Sequence, residues 1–314
     1  MIIGSLKEQS KDETRISLTP EVTQKLITKG HAILLEKGYG KTLYISDTAY
    51  LNTGAKVLET TDEILSKSEI IIQINPPQIQ PKQLKTCKLI IADFTDSHTN
   101  FAPVKELHLE LVPRTSVAQP IDILSAQSIV KGYMAAIYAL YHAKRIAPQL
   151  ITGATTIKPI KALVIGAGTT GLETAAFLKK SGCKVTIADI REEAKNLAAS
   201  VGAEFSLTSS TDIATILSDK NIIISTVNAK SIITDKDLSF TITHAVVIDT
   251  TKQSINLTQT PTDFHFYRNT HFERLAPLTA SDLFANNILN LINIILPSPD
   301  VLDLSADYIK PLQI

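Results

Sequence analysis

The sequence predicts an α/β protein made of two Rossmann-like, doubly wound domains flanking a cleft, the first of them discontinuous. Three observations lead there. Apolar runs of strand length alternate with helical segments through both halves of the chain, which is the pattern of parallel sheets covered by helices. At 314 residues the chain exceeds one ordinary domain and has room for two hydrophobic cores. Near its middle, a glycine turn lies between an apolar strand and an apolar-faced helix. The expected bounds are residues 1–123 with 278–314 for the first domain and 124–277 for the second.

In chain order, a strand is expected over residues 2–6 and a helix over 20–29. Thr19 serves as N-cap there, Pro20 takes the first helical position and Gly30 stops the helix. A strand at 32–36, helices near 47–54 and 62–66, and strands at 69–74 and 88–94 continue the alternation. A helix near 103–109, a short strand about Leu111 and a polar loop over 113–120 come next. The long helix after them, about 122–146, carries Ile129, Tyr133, Ala136, Ile137 and Leu140 at helical spacing and is expected to link the domains. Strands at 162–165, 184–190, 221–227, 245–250 and 265–267 form the second doubly wound unit. A helix over about 281–296 is expected to return to the first domain, and residues 297–314 have no clear periodicity.

Thirty-one basic and thirty-one acidic residues cancel without a long block of either sign. Nucleic acid and anionic membrane are therefore poor partners, and a small molecule or another protein is expected. Cys87 and Cys183 are far apart and outside any C-x-x-C spacing, so neither a disulfide framework nor a zinc site is expected, and a reducing cytoplasm fits. The opening segment lacks the basic start and apolar core of a signal peptide, and no uncharged apolar run reaches spanning length. The histidines His31, His108, His142, His244, His265 and His271 show no ligand spacing and are read as structural.

The glycine turn carries the chemistry. Gly166 permits a tight turn, Gly168 lets backbone approach a pyrophosphate, and Gly171 lets helix and strand pack closely, so that helix amides face the phosphates. The context strengthens it: the strand 162–165 precedes the turn, and the helix after it has an apolar face of Leu172, Ala175, Ala176 and Leu178. Asp189 ends the next strand, 23 residues after Gly166, where a carboxylate accepts from ribose hydroxyls and favours NAD over its 2′-phosphorylated form. Arg191 is a cation that softens this rejection. The candidate cofactor residues are Gly166, Gly168, Thr169, Thr170, Gly171, Asp189, Ile190 and Arg191; no metal is expected.

Three segments together resemble one family throughout: Lys7-Glu8 through Thr19-Pro20, the loop PRTSVAQPIDILSAQS at 113–128, and VIGAGTTGLETAAFLKKSGCKVTIADIR at 164–191. It is the alanine dehydrogenase and nicotinamide nucleotide transhydrogenase family. Within it, the chain is most similar to the NAD(H)-binding component of the proton-translocating transhydrogenase, in the form where that component is a separate polypeptide. The stretch YRNTHFERLAPLTASDLFANNILNLI at 267–292 fits the same resemblance.

The resemblance implies a site. An Arg, a Gln, an Asp and a Ser surround the nicotinamide in that component, and the corresponding positions are Arg114, Gln119, Asp122 and Ser125. Asp122 and Ser125 would fix the carboxamide, Arg114 the ring side, and Gln119 would reach toward a second nucleotide. It also implies NAD(H) as the bound cofactor, NADP(H) only on a partner subunit, a homodimer, a membrane subunit as further partner, and a cytoplasmic location peripheral to the inner membrane through those partners. Read without it, the four residues are a loop and a helix start, with Asp122 or Ser125 as N-cap and Arg114 as a solvated cation.

The dehydrogenase branch carries an Arg, a Lys and a His for its amino-acid substrate. Arg15 matches the Arg, Asn75 falls where the Lys is expected, and Asp96 where the His is expected, with His98 two positions late. Asn75 supplies no cation and exchanges no proton near neutral pH. Arg15 is then expected to be a structural ion-pair residue near Glu8 or Glu13. The sequence also departs from the family: the usual Gly-Gly-Asn after the strand ending in Asp249 reads Thr-Thr-Lys-Gln-Ser-Ile-Asn, the usual Ile-Pro-Gly reads Asn228-Ala229-Lys230, and Val117 replaces a second Arg. These losses lie in loops that line the nucleotide. An amino- or imino-acid oxidoreductase and a non-catalytic NAD-binding regulatory module are the alternatives to a transhydrogenase component.

Overall fold

A computed structural model describes the chain except residues 96, 98, 209–211, 240–242, 260–262 and 314. It divides into two compact units, residues 1–127 with 276–314 and residues 128–275.

In the first unit, β1 (Ile2–Ser5), α1 (Pro20–Thr28), β2 (Ala32–Glu36), α2 (Asp47–Leu51), β3 (Lys56–Leu58), α3 (Thr61–Lys67), β4 (Ile70–Ile72), β5 (Leu89–Ala92) and β6 (Lys105–His108) follow in order. The strands form one parallel sheet in the order β3-β2-β1-β4-β5-β6. A central parallel strand is covered on both faces, which is why β4 and β5 read Ile-Ile-Ile and Leu-Ile-Ile-Ala without alternation and are buried throughout. Pro20 opens α1 as expected, but the Thr19 side chain makes no capping bond; its carbonyl accepts from Thr23 N at 2.9 Å. Gly30 ends the segment at φ +88°, the left-handed conformation that glycine adopts without strain.

The helix expected near 103–109 is instead β6, followed by a 3₁₀ turn at Leu109–Leu111 where a strand was expected. Lys, Glu and Leu are good helix formers, yet Leu107 and Leu109 alternate with polar neighbours, and backbone pairing of Leu89–Ala92 with Lys105–His108 outweighs propensity. Of residues 297–314, those described, 297–313, also find a place. Leu304, Ile309 and Leu312 are buried in the first unit's core, and Gln313 forms an antiparallel bridge to Leu107 on the edge strand.

The unit boundary falls within α4 (Ile123–Ala143). By length and composition alone α4 could cross a membrane, but it contains Lys131 and buries Ala135, Ala136 and Ala139 in the second core, so it is a core helix. After it come the antiparallel pair β7 (Leu150–Ile151) and β8 (Thr156–Ile157), which no pattern in the sequence announces, and then β9 (Lys161–Ile165), α5 (Thr169–Lys180), β10 (Lys184–Asp189), α6 (Ala194–Ser200), β11 (Glu204–Leu207), α7 (Ile213–Leu217) and β12 (Ile222–Ser225). A small parallel pair, β13 (Ile233–Thr234) and β15 (Ile255–Asn256), flanks α8 (Asp235–Leu238) and β14 (Val246–Asp249); β16 (His265–Arg268) completes the unit. The main sheet is parallel in the order β11-β10-β9-β12-β14-β16. The last helix, α9 (Pro277–Ile295), belongs to the first unit and buries Phe284, Ile288, Leu291, Ile292 and Ile295 there. Counting strands within each six-stranded sheet, both have the order 3-2-1-4-5-6 of a dinucleotide-type fold, whose ligand crevice lies beyond the carboxyl ends of the central strands.

Candidate dinucleotide site

β9 and β12 are the neighbours at which the strand order of the second, all-parallel sheet reverses, and the glycine turn joins β9 to α5 at that point. Gly166 has φ +99°. A Cβ at Gly171 would lie 1.9 Å from the Gly166 carbonyl oxygen, so helix and strand approach too closely for any side chain. A Cβ at Gly168 would meet nothing within 4 Å. Among the described residues no side chain caps α5 at Gly168, which leaves its first-turn amides, those of Thr169 and Thr170 included, without a side-chain acceptor. An uncapped helix start behind a turn of two glycines and one alanine suits a pyrophosphate in both shape and charge.

Asp189 at the end of β10 is buried, and Ile190 beside it is exposed. Asp189 Oδ2 accepts from Ala167 N at 2.8 Å, which ties the carboxylate to the turn itself. Oδ1 accepts from Arg191 N at 2.9 Å, and the Arg191 guanidinium bonds both oxygens, Nε to Oδ1 and Nη2 to Oδ2, at 3.0 Å each. Burial pushes the Asp189 carboxyl up, but the Arg191 and Ala167 bonds outweigh it and bring it to about 2. It is a carboxylate at every physiological pH.

Asp122 and Ser125 come together at the start of α4: Asp122 Oδ1 accepts from Ser125 N at 2.9 Å, and Ser125 Oγ donates to Oδ2 at 2.6 Å. Asp122 thus serves as a capping acceptor for α4, while the Ser125 hydroxyl oxygen keeps lone pairs to offer. Gln119 opens a 3₁₀ turn, Gln119–Ile121, and is exposed. Arg114 is exposed and makes no hydrogen bond or ion pair among the described residues.

The position that would carry a lysine in the dehydrogenase branch is engaged otherwise. Asn75 Nδ2 donates to Glu8 Oε2 at 2.9 Å and to Glu13 Oε2 at 3.2 Å, and Glu8 also accepts from the Ile74 and Asn75 amides. Arg15 forms a forked pair with Glu13, Nε to Oε1 at 2.7 Å and Nη2 to Oε2 at 2.8 Å, and Nη1 donates to Gln127 Oε1 at 2.9 Å. Burial and the neighbouring Glu13 charge raise the Glu8 carboxyl to about 7 against the opposing hydrogen bonds. Asp96 and His98 lie outside the described residues.

Sequence reasoning missed the role of Asp249. This fully buried carboxylate accepts from Thr251 N and Oγ1, Ser254 Oγ, Ile255 N and Arg268 Nε, all within 3.2 Å. Much of the side-chain bonding of the glycine-free loop after β14 therefore converges on one point at the strand's end. The available signal was the pair of hydroxyl residues at positions 251 and 254 behind an aspartate, donors spaced to reach one acceptor.

Comparisons with known proteins agree with this architecture. The N-terminal domain of the alanine dehydrogenase/PNT family matches residues 4–131, and its C-terminal domain matches residues 135–304. The first portion of the NAD(P) transhydrogenase alpha subunit of Rickettsia prowazekii is 36% identical over 217 residues, covering 65% of this chain and 57% of that protein. The polypeptide of the same name from Rhodospirillum rubrum is 32% identical over 218 residues with the same coverages, so the match spans little more than half of these relatives' own length. An alanine dehydrogenase of Methanococcus maripaludis is 29% identical over 203 residues, covering 60% of this chain and 53% of its own. Among solved structures, a transhydrogenase from Sinorhizobium meliloti superposes with a TM-score of 0.89 at 24% identity over 100% of this chain and 98% of that one. An L-alanine dehydrogenase reaches 0.75 at 20% identity over 93% and 89%. With both of its domains matched in order over a shared fold, this chain belongs to the alanine dehydrogenase/PNT family.

Proposed function

We propose that this chain is the NAD(H)-binding component of a proton-translocating NAD(P) transhydrogenase, working with an NADP(H)-binding subunit and a membrane subunit. The observation that carries the choice within the family is Asn75. Its amide is engaged by Glu8 and Glu13 where amino-acid oxidation would need a proton-exchanging amine. Transfer between two nicotinamides needs no protein acid or base, because the bound dinucleotide itself supplies or takes the hydride. What the protein contributes is position. The α5 amides and Gly168 would hold the pyrophosphate, and Asp189 the adenosine ribose. The Ser125 hydroxyl, oriented by Asp122, would fix the carboxamide, with Arg114 at the ring side and Gln119 toward the partner's nucleotide. A homodimer through the second unit belongs to the same reading. Its support is the apolar exposure of Tyr141, Ile146, Leu150, Ile151 and Ile157 on α4, the segment after it and the β7–β8 pair.

The test mixes the purified chain with an NADP(H)-binding domain and follows NADH-dependent reduction of an NADP analogue. Transfer is expected, and Asp122→Asn should slow it by one to two orders of magnitude, about 1.4–2.7 kcal/mol, with little change in NADH affinity. Equal losses in both would remove the orienting role, and NAD reduction driven by alanine would replace the transhydrogenase reading with the dehydrogenase one.

A further inference from the structure

The four hydrogen bonds on Asp189 fill its acceptor positions from within the chain, two from backbone amides and two from the Arg191 guanidinium. A carboxylate offers about four such positions. The two amide bonds are fixed by the turn and by the chain after β10. The guanidinium bonds are the exchangeable ones, since the Arg191 side chain is 55% exposed while that of Asp189 is 6% exposed. Any hydroxyl that reaches this carboxylate must therefore take the place of Arg191.

We propose that Arg191 is a specificity-determining latch on the adenosine end of the site: it competes with the ribose hydroxyls of NADH for Asp189 and blunts the carboxylate's rejection of a 2′-phosphate. The inference rests on the dinucleotide reading above. With the guanidinium in place, a bound NADH must break two charge-assisted bonds to gain its own, so the latch weakens NADH binding. Once released, the same cation stands beside the ribose, where it attracts the extra phosphate of NADPH and offsets repulsion from Asp189. A bare aspartate would hold NADH tightly and exclude NADPH. Asp189 with Arg191 does each less well.

The experiment titrates the full chain with NADH and separately with NADPH, following nicotinamide fluorescence, for the wild type, Arg191→Ala and Arg191→Gln. Two variants are used so that poor folding of one leaves the measurement standing. Each should bind NADH about three- to tenfold more tightly, in keeping with the modest worth of an exposed ion pair, and the ratio of the NADPH to the NADH dissociation constant should rise about tenfold or more. NADH affinity that stays the same or falls in both variants, or a ratio that does not rise, overturns the latch. If neither the wild type nor a folded variant binds either dinucleotide, the dinucleotide reading itself fails, and the latch with it.

Discussion

The two sheets share a strand order, and their central strands end in opposite ways. Beyond β1, the space is filled by side chains: Ser5 Oγ donates to the Ile72 carbonyl at 2.6 Å, and the Tyr39 hydroxyl accepts from Ser17 N and Leu18 N. Buried Glu13 and Arg15 with half-buried Glu8 and Asn75 complete a polar cluster in the same unit. Beyond β9 there are glycines and helix amides that no side chain caps. One topology is thus put to two uses. A carboxyl-end crevice is a geometric consequence of the doubly wound sheet, but it remains a ligand site only where the chain withholds its own side chains.

Substitutions that separate the two ends test this contrast. The largest effect is expected from Arg15→Ala, which removes the guanidinium from a buried Glu13 and should cost about 3–5 kcal/mol in urea denaturation while leaving NADH affinity of the folded protein unchanged. A stability loss under about 1 kcal/mol would show that the cluster does not brace the first unit. Next come two glycines three residues apart. Gly171→Ala forces a methyl against the Gly166 carbonyl and should destabilise by about 3 kcal/mol, at the top of the usual range for overpacking. Gly168→Ala puts its methyl into open space, so its melting temperature should stay near that of the wild type while NADH affinity falls about tenfold, or 1.4 kcal/mol. Equal melting losses in the two would sink the distinction between a packing glycine and a ligand-facing one.

The smallest effect is in pH. Glu8 has its carboxyl raised from 4.5 to about 7 in the folded chain, so the folded state binds this proton more tightly than the unfolded state. Its contribution is fully present below about pH 4.5 and is lost as the pH rises through about 7. Melting temperature measured across that window should decline less steeply in Glu8→Gln than in the wild type. Parallel curves would mean that Glu8 titrates normally.

What could be read from sequence divides along physical lines. The strand, glycine turn and helix around Gly166, with Asp189 ending the next strand, were legible because so tight a strand-to-helix turn admits few residue types. The apolar runs that became β4, β5, β9, β12 and β14 were legible because strands buried on both faces admit little else. Residues 103–109 were misread because an edge strand is only half-buried, and Lys-Glu-Leu-His suits a helix until a neighbouring strand supplies hydrogen bonds. The Asn75 amide shared by two carboxylates was invisible for another reason: positions 8, 13 and 75 meet only through the fold. So were the bonds of Arg191, since a sequence names a cation near an aspartate without saying which way it turns.

The Asp249 cluster bears on how its loop tolerates change. A turn built on glycines spreads its constraint over several backbone torsions, and each can relax a little when a neighbour is replaced. Here, beside the β13–β15 pairing and the bonds of Thr250 to the Ser225 carbonyl, three hydroxyl or guanidinium donors and two amides of and around the segment after β14 converge on a single anionic keystone. The Gln253 side chain is not among those donors, so its chemistry can drift without shifting the anchor. Loss of the keystone's charge would release those five bonds together, so the part of the segment they hold should respond to mutation as a threshold and not as a gradient.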